Sequence, residues 1–220
     1  MKILGKEIQL VIFDLDGTLV DSTSLWSQID EKFFNRRGQP IPSEYAKEIA
    51  HVGLKVAAQI TKEKYFPNEE IEDIIKEWED LSLEAYANEI PLKDNADKLL
   101  EILKNKNIYI ALATANSKKL YDPCLKRLGI DKYFDYVIDV NSCKNGKDNP
   151  EIFDKVCAHF NINKENTLIF EDSLTAIKTA FQAGYNVISV YDIQSSKNIE
   201  EIRKHSHLFI NFYDEIIKFI

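Results

Sequence analysis

Short apolar runs recur along the chain at residues 8–13, 108–113, 136–140, 167–170 and 187–191. Runs of this length, rich in Val and Ile, read as buried strands. Helical patterns separate the later runs. Leu99, Leu100 and Leu103 share a face within residues 95–105, and Leu120, Leu125 and Leu128 do so within Lys118–Leu128. Pro150 suits the first position of a helix reaching Phe160. Ser173 suits the N-cap of another, which Gly184 closes as its C′ residue. Strands alternating with helices predict an α/β fold, a doubly wound Rossmann-like sheet of mostly parallel strands.

Between the first two strands the pattern changes. Residues 22–88 carry no strand-like run, only stripes at helical spacing. Leu25, Trp26, Ile29, Phe33 and Phe34 form one, Ile49, Val52, Val56 and Ile60 a second, and Ile71, Ile74, Ile75 and Trp78 a third. The stretch is too long for a one-helix crossover. The expectation is a core of residues 1–20 and 90–220 with an all-helical domain, 21–89, inserted after the first strand. The chain returns through residues 88–92, punctuated by Pro91.

Composition narrows the function classes. A chain of 220 residues with 45% hydrophobic content can bury one sizeable core and a smaller module. A net charge of −8 argues against a nucleic-acid partner, and an anionic substrate would need local positive charge. Cys124, Cys143 and Cys157 are odd in number and lack CxxC spacing, as expected of reduced thiols in the cytoplasm. No apolar run approaches the roughly 20 residues that span a bilayer, and no signal-peptide core is expected at the N-terminus.

The chemistry gathers at strand ends. Asp14 and Asp16 follow the first strand in Asp14-Leu15-Asp16-Gly17-Thr18. A turn there brings two carboxylates to one point, and like charges that close require a cation or a shared proton. Mg²⁺ takes oxygen ligands and leaves positions open for phosphate. Gly17 permits a sharp turn, which the Thr18 hydroxyl is expected to tie down. The second strand runs into Thr114-Ala115-Asn116, a hydroxyl and backbone N–H groups at a helix start, where phosphate binds well. The third is followed by Lys147, just before Pro150. The fourth ends in Glu171-Asp172-Ser173. A parallel sheet brings all these ends to one edge.

Taken together, Asp14-Leu15-Asp16-Gly17-Thr18-Leu19-Val20-Asp21-Ser22, Thr114, Lys147 with Pro150, and Glu171-Asp172-Ser173 resemble the haloacid dehalogenase superfamily. Its members similar to β-phosphoglucomutase and phosphoglycolate phosphatase match over the whole chain, the helical insert corresponding to their cap domain. The resemblance implies Asp14 as the nucleophile that forms an aspartyl phosphate. It implies Asp16 as acid and then base. Thr114, with the backbone of Ala115 and Asn116, would hold phosphoryl oxygens, and Lys147 would neutralise charge. Asp14, the carbonyl of Asp16 and Asp172 would ligate Mg²⁺, with Glu171 supporting the metal directly or through water. Ser173 would position the loop or cap the helix. A monomer is implied.

A carboxylate at Asp16 favours a phosphatase or phosphomutase over a dehalogenase. The cap stretch His51-Val52-Gly53-Leu54-Lys55-Val56 resembles the family's specificity loop, which makes His51 and Lys55 the specificity candidates. A mutase of the β-phosphoglucomutase type is expected to place an arginine where Val56 stands, and Lys55 beside it is a poor substitute for a bidentate guanidinium. The expected activity is therefore Mg²⁺-dependent hydrolysis of a small phosphorylated metabolite, with sugar phosphomutase as the alternative. A non-catalytic binding protein would need neither the nucleophile nor its acid–base partner.

Overall fold

The computed structural model describes residues 1–49 and 54–220. In chain order, a small antiparallel hairpin, β1 (Lys2–Ile3) and β2 (Lys6–Glu7), precedes β3 (Leu10–Phe13). Four helices follow: α1 (Leu25–Arg36), α2 (Tyr45–Ile49), α3 (Leu54–Lys64) and α4 (Ile71–Asn88). Then come α5 (Ala96–Asn105), β4 (Tyr109–Thr114), α6 (Lys118–Leu128), β5 (Tyr136–Asp139) and α7 (Glu151–Phe160). The chain ends with β6 (Thr167–Glu171), α8 (Leu174–Gln182), β7 (Asn186–Val190), α9 (Ile199–Lys204), β8 (Leu208–Ile210) and α10 (Asp214–Ile217).

Among the described residues the main sheet has the order β5-β4-β3-β6-β7-β8, with every neighbouring pair parallel. The strand order reverses beside β3, the switch point at which open α/β sheets bind ligands. Strand residues are buried on both faces, as a parallel sheet covered by helices requires. Leu10 and Ile12 of β3 and Ile169 of β6 face one layer, where they pack with Ile152, Phe153 and Val156 of α7 and Ile177 of α8. Alternation sends Phe13 and Phe170 to the other face, where their rings stack at 4.7 Å.

The chain divides into two compact units, one of residues 1–23 and 90–220, the other of 24–89. The first crossing thus lies after Thr23, three residues later than the apolar pattern suggests. The segment Asp21–Thr23 stays with the core because the Asp21 N–H donates to the Pro91 carbonyl at 3.0 Å.

The helical unit is organised around aromatic rings. Phe33 and Phe34 meet Phe66 edge-on, and Tyr45 meets Phe34 at 4.7 Å. Two departures from the sequence reading fall in this unit. On α3 the buried residues are Ala57, Ala58 and Thr61, whereas Val56 is exposed and Ile60 half-buried. Small side chains on that face leave room for the rings, and the Thr61 hydroxyl meets the Tyr45 hydroxyl at 2.9 Å. Trp26 does not join the α1 stripe but is exposed. Elsewhere α8 closes at Gly184 with φ +88°, as expected of a C′ glycine. Pro150 occupies the N-cap of α7, one position ahead of its expected place. The strand β8 carries no signal beyond three apolar residues.

Candidate active site

Register and alternation build the site. Phe13 pairs with Phe170 and, on the other side, with Leu112. The next residue of β3's path, Asp14, therefore lies beside Glu171, and its N–H donates to the Phe170 carbonyl at 3.0 Å. Side chains two apart share a face, so Asp14 continues the row of Ile12 and Glu171 that of Ile169. Both rows face α7, and Lys147 stands in the segment that leads into that helix. Its ammonium contacts the Asp14 carboxylate and reaches Glu171 Oε2 at 2.9 Å. Carboxylate oxygens of Asp14, Glu171 and Asp172 all lie within 4.8 Å of one another.

The turn after Asp14 fits against Asp172 with no space for a side chain. Gly17 has φ +74°, and a Cβ on it would stand 2.5 Å from Asp172 Oδ2. Thr18, expected to tie down its own turn, instead donates to Asp172 Oδ1 across the site at 3.1 Å. Tyr213, buried just after β8, donates to the Thr18 carbonyl at 3.0 Å. The loop carrying both aspartates is thus held from the β6 end and from the C-terminal end of the sheet.

Electrostatics follow from this crowding. Burial pushes Asp14 up to about 6; Glu171 adds to the shift, while Lys147 opposes it. Asp172 is raised well above the ordinary carboxylate range by burial, then by Glu171, Asp14 and Asp192. Burial works against the charge on Lys147, but attraction to Asp14 and Glu171 overcomes it and raises its pKa. Three clustered carboxylates facing one ammonium carry an excess of negative charge. The donor set is all oxygen, and it suits a hard divalent cation such as Mg²⁺.

The remaining candidates divide. The Asp16 carboxylate lies outside the three-carboxylate group and accepts a hydrogen bond from the Asn116 amide. Asn116 was expected to offer its backbone N–H to phosphate, but that group donates to Thr114 Oγ1 at 3.0 Å in a local turn. Thr114 is fully buried and Ala115 exposed. Glu171 Oε1 accepts from the N–H groups of Asp172 and Ser173 at 3.2 and 3.1 Å, so Glu171 also fixes the entry to α8. Ser173 is the N-cap residue of α8, but its side chain makes no capping bond. Lys55, in the first turn of α3, is exposed. His51 lies outside the described residues.

Sequence reasoning missed Tyr213, Ser195 and Asp192. Ser195 Oγ donates to the Asp172 carbonyl at 2.8 Å. Asp192 lies two residues past β7, an acid near a strand end, and that position was a readable signal.

Residues 11–190 match the haloacid dehalogenase-like hydrolases. The chain belongs to that family. Among relatives, a phosphorylated carbohydrates phosphatase of Thermotoga maritima is 28% identical, over 87% of this chain and 88% of that protein. A phosphoglycolate phosphatase of Nitrosococcus oceani is 26% identical, over 83% and 84%. A solved structure from Thermotoga maritima, described as a candidate β-phosphoglucomutase, superposes with a TM-score of 0.83 at 26% identity, covering 92% of this chain and 94% of that one. In this hydrolase no helix among the described residues is long and apolar enough to cross a membrane.

Proposed function

We propose that this hydrolase is a Mg²⁺-dependent phosphatase for a small phosphorylated metabolite of carbohydrate type, acting through an aspartyl phosphate on Asp14. The observation that carries the reading is the gathering of Asp14 with Lys147 and the carboxylates of Glu171 and Asp172, while Asp16, outside that group, accepts from Asn116. The two aspartates of one loop thereby stand in different surroundings, and divergent surroundings are what separate a nucleophile from a proton carrier.

Asp14, Asp172 and the Asp16 carbonyl would hold Mg²⁺, with Glu171 behind them. The cation supplies charge neutralisation for the phosphoryl oxygens and for the clustered carboxylates. The Asp14 carboxylate attacks phosphorus, and the bond from phosphorus to the leaving oxygen breaks. Asp16 delivers a proton to that oxygen. Water then gives its proton to the Asp16 carboxylate and attacks the same phosphorus. The bond to Asp14 breaks, which frees inorganic phosphate and restores the nucleophile. Lys147 keeps its proton throughout and balances the charge on Asp14 and the phosphoryl group. Phosphoryl transfer asks mainly for positioning and charge compensation, and these residues offer both.

The names of the relatives favour a sugar phosphate as substrate. Phosphate release from sugar phosphates, phosphoglycolate, nucleotides and pyrophosphate, each with and without Mg²⁺, tests the reading. Metal-dependent release from a sugar phosphate or phosphoglycolate is expected. No release, combined with interconversion of β-glucose 1-phosphate in the presence of a sugar bisphosphate, would replace hydrolysis with the mutase reaction.

A further inference from the structure

The loop after β7, Tyr191 to Ser195, touches three places at once. The chain leaves the core unit after Thr23 and returns at Ile90. The two linkers run side by side: Val20 bridges Leu92 in antiparallel fashion, and the Lys93 N–H donates to the Leu19 carbonyl at 2.8 Å. Asp192 grips both. Its Oδ2 accepts from the Thr23 hydroxyl at 2.7 Å and from the Lys93 ammonium at 3.2 Å. Its Oδ1 accepts from the Gln194 N–H at 3.0 Å, and the Gln194 side chain reaches the Thr23 carbonyl at 3.1 Å. Lys93 also donates to the Tyr191 carbonyl at 2.8 Å. From the far end of the same loop, Ser195 Oγ holds the carbonyl of Asp172.

We propose that Asp192 is a positioning residue that clasps both linkers and, through Ser195, couples their path to the backbone of the cation-binding Asp172. Asp192 is only 4% exposed, so its charge depends on the partners named above. Removing one partner of a buried pair leaves the other uncompensated, so a change at either linker is felt directly at Asp192. The carbonyl of a ligating aspartate sets where its carboxylate points, and groups behind a ligand tune metal affinity strongly. A shift of either linker therefore reaches Asp172 through one carboxylate. The inference rests on the reading of Asp172 as a Mg²⁺ ligand.

The test uses the full chain and two mild substitutions on side chains with different partners, Thr23→Val and Ser195→Ala. Mg²⁺ binding is followed by calorimetry and amide hydrogen exchange by mass spectrometry. Ser195→Ala is expected to weaken Mg²⁺ binding about tenfold. Thr23→Val is expected to weaken it about threefold, a size ordinary for coupling through a contiguous network. The double variant should fall short of the product of the two effects, because both act through one loop. Unchanged Mg²⁺ affinity in Thr23→Val, or effects that simply multiply, overturns the clasp. Wild-type protein that binds no Mg²⁺ would overturn the functional reading instead. Exchange then decides the clasp alone: faster exchange at residues 171–174 in Thr23→Val supports it, and an unchanged pattern there overturns it.

Discussion

Clustered charge is handled in opposite ways by the two units. In the helical unit the Arg37 guanidinium stacks 3.6 Å above the Phe33 ring and bonds Glu69 and Glu77, while Arg36 supplies a second cation to Glu77. Two carboxylates meet two guanidinium groups, and the account closes. At the sheet edge of the core unit, Asp14, Glu171 and Asp172 share only the Lys147 ammonium among the side chains described at the cluster. That cluster keeps an excess of carboxylates, which a cation or a retained proton would offset. Charge matched by the protein's own groups marks structure, whereas buried charge left in excess by those groups marks a place that awaits a ligand.

The contrast can be broken most forcefully at Lys147. Lys147→Met leaves Asp14 and Glu171 without their cation. Turnover is expected to fall on the order of 10³-fold, and stability without Mg²⁺ by about 3 kcal/mol. Denaturant titrations with and without Mg²⁺ check the second point, since the metal should return part of the loss. Gly17→Ala comes next. A Cβ there collides with Asp172 at a positive φ, so Mg²⁺ affinity measured by calorimetry should drop about tenfold. Arg37→Met sharpens the other side. It leaves Glu69 without its cation and Glu77 with Arg36 alone, and should cost about 2 kcal/mol of stability while leaving turnover per folded molecule within about twofold of wild type. A variant that folded normally but lost turnover would end the distinction between the units.

The smallest effect concerns Asp30, buried on α1. Burial lifts it from the ordinary 3.8 to about 7. The folded chain thus keeps a proton that the unfolded chain releases, and stability falls as pH rises from about 4 through 7. Asp30→Asn should flatten that part of the pH–Tm curve and raise Tm by a few degrees above pH 7, with little change below pH 4. Scanning calorimetry across that range is the check.

The sequence exposed the elements whose signals are local. The apolar runs near β3, β4 and β6 lie within two residues of the observed strands, because strands buried on both faces need uninterrupted apolar residues. Strand-end residues were legible for the same reason: a polar group directly after such a run must leave the sheet at one edge. Features that depend on distant partners were not legible. The Asn116 side chain has no legible partner until β3 and β4 lie side by side and put Asp16 within its reach. Tyr213 means nothing before the C-terminal strand brings it under Thr18, 195 residues away in the chain. On α3 the apolar stripe misleads because the aromatic rings beside it demand Ala and Thr rather than Val. Asp192 was readable by position, but its partners Thr23 and Lys93 were not.

The central claim is that Asp14 is the nucleophile of a Mg²⁺-dependent phosphatase. Its most direct test is phosphate release by wild type and Asp14→Asn, prepared identically, on whichever sugar phosphate the wild type hydrolyses. The account predicts turnover reduced by at least about 10⁴-fold in the variant, with a Tm equal to or above that of wild type because one of three crowded carboxylates is gone. Comparable Mg²⁺-dependent turnover in a folded Asp14→Asn protein would contradict it.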